Sequence, residues 1–248
     1  MFFNNYITTF VLVLALLKAY DATALQAPDY ELQKHIVTTR DGAKLETTFF
    51  KVKSRYAPVV LLIHQCDVDK SLGRTGFENI ADTLAKTGIN VMFYLQRGYS
   101  AAIDNEAETT RTNSGDRVKD AEDVWNYLKS LNHVDSTRVA LGGASCGGRV
   151  CIGLASEKPN LAKGIMLLST GMSEPLYRQL PLLDLPLLCI TAHDDGLAYN
   201  STLRAFDSTK NAESKLLVVK GELHGAVLMD SHPAVLGQII HFFQQTLR

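Results

Sequence analysis

Residues 58–63, Pro-Val-Val-Leu-Leu-Ile, are all apolar. Successive side chains of a strand point to opposite sides, so a strand of this composition has no face to give to water. It must be covered on both sides, as a central strand in a layered fold is. Similar runs return at 89–95, 163–168, 186–192 and 215–220, and a short one, Arg138-Val139-Ala140-Leu141, lies between them. The intervening stretches carry helical spacing. Phe77, Ile80, Ala81, Leu84 and Ala85 predict a helix over 77–86, and Val118, Ala121, Val124, Trp125 and Leu128 predict another over 116–131. Segments 197–211 and 233–247 also read as helices, the latter with Ser231 as N-cap and Pro233 in its first turn. Upstream, 32–39 and 44–52 are β-like and joined by Arg40-Asp41-Gly42-Ala43, whose Asp-Gly turn signal predicts a hairpin. Residues 169–185, with two prolines, read as irregular: a small cap over a site, or a surface connection. The alternation predicts an α/β fold, a mostly parallel central sheet of about eight strands with helices on both faces. In such sheets the functional cleft lies beyond the carboxyl ends of the strands.

The chain has 248 residues, 46% of them hydrophobic and 21% charged, which suits one α/β domain. A formal net charge of −1 and the lack of a basic stripe speak against nucleic acid as a partner. The N-terminus stands apart. A dense apolar core at 10–17 is followed by Lys18 and by Ala22-Thr23-Ala24, a small-x-small cleavage pattern, although the start lacks the usual Lys or Arg. The expectation is a signal peptide at 1–24, a single domain at 25–248, and export to a periplasmic or secreted location. The alternative is an N-terminal anchor, but the apolar core is short for a bilayer span, so no stable membrane span is expected after cleavage. Of the four cysteines, Cys151 falls in a predicted helix and Cys189 in a predicted strand, where both read as buried free thiols. No Cys/His spacing suggests a metal, and no cofactor is expected.

Gly143-Ala144-Ser145-Cys146-Gly147 is a G-x-S-x-G pattern at a junction of strand and helix. A serine there takes a strained backbone conformation with its neighbours packed close, and glycine at 143 and 147 leaves room for that approach. The hydroxyl then stands at the sheet edge beside the partnerless N–H groups of the helix's first turn, which favour negative charge. Attack on a carbonyl carbon needs such a nucleophile and such donors. The plainer reading is a turn whose serine caps the helix. Asp195 and His224 also fall just past predicted strand ends.

With these residues in place the chain resembles the α/β-hydrolase family over nearly all of 25–248. The pattern around Ser145 resembles the family's nucleophile elbow, and the order Ser, acid, His matches it. His64-Gln65 stands where the family usually has His-Gly after its third strand, and Arg97-Gly98-Tyr99-Ser100 resembles a shortened form of the stretch after the fourth. The layout is similar to dienelactone-hydrolase-like and small serine esterase members, with Ser in place of the Cys of true dienelactone hydrolases.

The resemblance implies a catalytic set of Ser145, Asp195 and His224. His224 would serve as base and Asp195 would orient it, with Asp194 the competing acid. It also implies an oxyanion hole formed by the N–H of Cys146 and that of Cys66, or alternatively Gln65. Cys66 and Cys146 would then be either small fillers of tight space or, in an oxidising compartment, a disulfide; a Cα separation above about 7 Å excludes the latter. His64 is expected to end its strand and hold the oxyanion loop by hydrogen bonds. Arg97 either meets an anionic substrate or braces its loop. The expected activity is a serine hydrolase cleaving an ester or related acyl bond of a small-molecule substrate. A small-peptide hydrolase would use the same parts, and a catalytically silent binding protein on the same fold is the remaining alternative.

Overall fold

The computed structural model describes residues 30–66, 72–99 and 114–248. The candidate signal peptide and its cleavage pattern lie outside the described residues, as does Ser100. Strands β1 (Tyr30–Thr38) and β2 (Lys44–Val52) form the expected antiparallel hairpin, with Tyr30 opposite Val52 and Thr38 opposite Lys44. The rest of the sheet is β3 (Ala57–Ile63), β4 (Asn90–Tyr94), β5 (Val134–Ala144), β6 (Ile165–Leu168), β7 (Leu187–Ala192) and β8 (Lys215–Val219). Their order is β1-β2-β4-β3-β5-β6-β7-β8; every pairing from β4 onward is parallel, while β2 meets β4 antiparallel.

The apolar run of β3 does what its composition requires. Val59, Leu61 and Ile63 join one hydrophobic cluster, and Val60 and Leu62 join the other. The first cluster is closed by α2 (Ser114–Lys129), α3 (Cys146–Glu157), α4 (Glu174–Gln179) and α5 (Gly196–Ser208). The second is closed by α1 (Leu72–Lys86), the short α6 (Leu228–Ser231) and α7 (Pro233–Thr246).

Five boundaries differ most from the sequence reading. Helix α1 begins at Leu72, not 77, because Gly73 and Gly76 weaken the helical signal there. Strand β5 begins at Val134, not 138, because its register against β3 slips between Ala57 and Val59. Polar residues 135–137 lie in that irregularity, with Asp135 Oδ1 accepting the Thr137 N–H at 3.0 Å, and they mask the strand's continuation. Helix α3 begins at Cys146, where two glycines in the first turn weaken the helical signal. Within 169–185, which reads as irregular, Glu174–Gln179 is helical, and Pro175 is compatible with a first turn. The N-cap of α7 is His232, not Ser231, which ends α6.

One buried polar side chain joins three of these strands. Asn90 is inaccessible to solvent; its Oδ1 accepts the Val52 N–H at 2.9 Å, and its Nδ2 donates to the carbonyls of His133 at 3.0 Å and Ala57 at 3.4 Å. Removing it strands the Val52 N–H in the interior and takes a donor from the two carbonyls, of which that of His133 keeps the Ala57 N–H at 3.2 Å. Asn90→Ala is expected to lower unfolding free energy by about 2–4 kcal/mol in denaturant titration; a loss near zero would show that water takes over these bonds.

Candidate active site

Strand β5 ends at Ala144 and α3 begins at Cys146, so Ser145 alone makes the turn, at φ 50° and ψ −116°. That region is sparsely populated for a side chain that is not glycine. Its N–H is held by the Leu168 carbonyl of β6 at 2.8 Å. The flanking glycines are required by space. A Cβ on Gly143 would lie 2.5 Å from the Gly147 carbonyl, and a Cβ on Gly147 would lie 2.1 Å from the Ile63 carbonyl oxygen. The first turn of α3 thus sits directly on the end of β3.

Asp195 and His224 follow β7 and β8. His224 Nδ1 lies 2.8 Å from Asp195 Oδ1 and 3.1 Å from Oδ2. An ionised carboxylate only accepts, so Nδ1 carries the proton and Nε2 keeps its lone pair. Asp195 is buried, whereas Asp194 is exposed and paired with His193 Nδ1 at 2.7 Å. The choice between these two acids, open in the sequence, goes to Asp195 as the partner of His224. Ser145 and His224 both line one open cleft of about 690 Å³. Among the described residues the Ser145 hydroxyl makes no hydrogen bond to the imidazole.

The loop after β3 is braced by buried hydrogen bonds. His64 Nδ1 donates to the Gln65 carbonyl at 2.6 Å, and Nε2 accepts the Gln96 N–H at 2.9 Å. Gln96 Nε2 donates back to the His64 carbonyl at 2.6 Å. Both ring nitrogens are used by a neutral imidazole, and burial pushes its pKa down to about 4 against a partial opposing effect of the Gln65 carbonyl.

Gln65 has a function that sequence reasoning missed. Its Oε1 accepts the Ala226 N–H at 2.6 Å, fastening the oxyanion-side loop to the loop that carries His224. Gly225, at φ 66°, lies against that amide; a Cβ there would lie 1.9 Å from Oε1. The glycine after His224 was the available signal, since it marks a close approach.

Cys66 and Cys146 form a disulfide with Cα atoms 5.7 Å apart, closing a loop between residues 80 positions apart in sequence. Of their two readings, the bond is the one realised. Cys151 and Cys189 are free and buried, as expected; burial pushes the Cys189 thiol up to about 12 and that of Cys151 higher. Arg97 braces its loop: its Nε donates to buried Asp120 at 2.7 Å, and its Nη2 reaches Asp120 at 2.6 Å and Asp41 at 2.7 Å. The segment after β6 lines the cleft through Glu174 and Tyr177 of α4. Glu174 grips the Arg204 guanidinium through both oxygens, and that guanidinium lies 4.0 Å from the centre of the Tyr177 ring.

The fold has parallels in known structures. Dienelactone hydrolase from Anabaena variabilis superposes with a TM-score of 0.71 at 18% identity, over 89% of this chain and 100% of that one. The chain has the α/β-hydrolase fold. An α/β hydrolase, GrgF, from Penicillium sp. sh18 gives a TM-score of 0.70 at 16% identity, over 88% of this chain and 99% of that one. A cold-adapted esterase from an Arctic intertidal metagenomic library gives 0.66 at 15% identity, over 90% and 96%. Residues 71–183 of the chain match the family model described as serine aminopeptidase, S33. The match includes Ser145 and stops short of Asp195 and His224. An uncharacterized protein of Mycobacterium tuberculosis is 23% identical over 82% of this chain and 80% of its own length.

Two measurements test the bracing. Loop closure over 80 residues corresponds to about 4 kcal/mol of stabilisation. Reductant is therefore expected to shift the denaturation midpoint down, and the unreduced, unfolded protein should show two titratable thiols; four would refute the bond. For His64 the folded pKa of about 4 lies below the ordinary imidazole value of 6.5, so the unfolded chain takes up the proton first as pH falls. The resulting loss begins near pH 6.5 and is complete near pH 4, amounting to about 3 kcal/mol. His64→Gln should lack this part of the acid destabilisation; an unchanged pH slope would refute it.

Proposed function

We propose that this α/β hydrolase is a serine hydrolase that cleaves an ester or related acyl bond through an acyl-enzyme. The observation that carries the reading is the buried carboxylate of Asp195 on His224 Nδ1, in loops that bring His224 to the same cleft as Ser145. A serine hydroxyl is a weak nucleophile until a base removes its proton. His224 Nε2, unprotonated in this arrangement, takes that proton as Ser145 Oγ attacks, which needs the two atoms within about 3 Å at the moment of transfer. Asp195 holds the tautomer and stabilises the imidazolium. His224 then gives the proton to the leaving group. Water repeats the sequence on the acyl-enzyme, and Ser145 is regenerated.

The charge that develops on the carbonyl oxygen is met by the Cys146 N–H at the start of α3, with that of Cys66 as the second donor and Gln65 as the alternative. The disulfide supports Cys66, because it ties that residue's backbone to Cys146. The bond also supports the expected export, since disulfides persist in oxidising compartments. A fluorophosphonate probe tests the reading: it should label wild type and fail to label Ser145→Ala. Asp195→Asn is expected to lower kcat by about 10⁴ on p-nitrophenyl esters, whereas Asp194→Asn, at an exposed pair with His193, should stay within a few-fold of wild type. Folded protein that is not labelled would favour a binding function on this fold; a reversal of the two aspartate variants would reassign the acid.

A further inference from the structure

Arg149 is four residues beyond Ser145, one turn along α3, and residues so spaced share a helix face. It lines the cleft that Ser145 and His224 line. The side chain is partly buried, and its one protein contact is a hydrogen bond from Nη1 to the Gly171 carbonyl at 3.1 Å. Among the described residues no carboxylate pairs with it. Two other partly buried guanidiniums are treated differently: Arg97 holds Asp120 and Asp41, and Arg138 holds Asp135. Arg204, at the far side of the same cleft, holds Glu174. A guanidinium has five N–H donors in a planar fork, so Arg149 keeps a fork's worth of donors unused beside the nucleophile.

A second cation strengthens the case. Arg117 of α2 rests Nη1 on the Cys66 sulfur, and its Nε is buried with no partner among the described residues. It is close enough to Arg149 that, after burial itself, its charge is the cause that lowers the Arg149 pKa. Two like charges are thus held near each other, partly out of water, and among the described residues neither is paired with a carboxylate. That arrangement is costly in the free protein and is offset when an anion enters.

We propose that Arg149 is a specificity-determining residue that receives a carboxylate on the substrate, so that the acyl bond cleaved belongs to an acidic ester. The inference rests on the serine-hydrolase reading above. It also sets this cleft apart from one built for a free α-amine, as an aminopeptidase needs: the one carboxylate among the cleft's lining residues, Glu174, has both oxygens on Arg204.

The test compares kcat/KM on three esters of matched size: p-nitrophenyl butyrate, p-nitrophenyl hemisuccinate with the carboxylate on the acyl part, and 4-carboxyphenyl butyrate with it on the leaving group. Wild type should favour one of the acidic esters over its neutral counterpart by about tenfold or more, and which one identifies the side of the scissile bond that Arg149 faces. Arg149→Gln should bring that ratio towards one, and Arg149→Lys should keep part of it. A wild-type ratio near one with the neutral ester turned over overturns the inference and leaves the hydrolase reading intact. So does a ratio that survives in Arg149→Gln. Absence of turnover on all three esters, together with absence of fluorophosphonate labelling, overturns the hydrolase reading and this inference with it. The wild-type comparison stands whether or not the variants fold.

Discussion

The backbone at Ser145 is held at φ 50° between a strand and a helix, and the surrounding structure is arranged so that it cannot relax. Such a conformation costs of the order of 1–3 kcal/mol and persists only where its neighbours over-determine it. Here the N–H is fixed to β6, Gly147 is pressed on the carbonyls that end β3, and Gly143 is pressed on Gly147. The constraint reaches into the core, because β3 and β5 are buried on both faces and neither has room to shift. The strain thus rests on the most deeply packed part of the molecule.

Around that turn, three loops are locked to one another by side chains and not by regular structure. His64 and Gln96 exchange hydrogen bonds at the ends of β3 and β4. Gln65 carries the connection to the loop after β8, and the Cys66–Cys146 bond closes the loop after β3 onto the first turn of α3. Each link uses a polar or sulfur group that would otherwise sit awkwardly in a dry interior. The common result is that the loops after β3, β4 and β8 and the first turn of α3 are held to one another. The cleft above differs in character. Its walls come from α3, α4 and α5, and its charges are disposed with one acid already neutralised and one guanidinium left open.

The fold was legible to a considerable degree because burial on both faces leaves a plain trace. Runs such as 58–63 and 165–168 have no polar residue, and the helices between the strands repeat with the spacing that one covered face imposes. Legibility failed where polar or flexible residues occur inside an element. Residues 135–137 hid the start of β5, Gly147 and Gly148 hid the start of α3, and the prolines of 169–185 hid α4. The candidate site was legible as three residues beyond strand ends. The preference for Asp195 over Asp194 rested on the family resemblance alone, since adjacent residues in a chain differ little in composition-based signals; in the fold they differ wholly in burial.

By itself, then, the sequence determined the layered α/β architecture, the turn at Ser145 and the order of the candidate catalytic residues. These follow from local rules: side-chain period, glycine where space is short, and apolar runs that water excludes. Tertiary structure alone decided which aspartate meets His224, that Cys66 and Cys146 pair, that Gln65 secures the His224 loop, and that Arg97 is engaged while Arg149 is not. Each of these is a contact between segments far apart along the chain. Its partner is chosen by where the sheet brings loops together and by the cost of leaving a buried charge or hydrogen-bonding group unmatched, and no spacing within one segment records that choice.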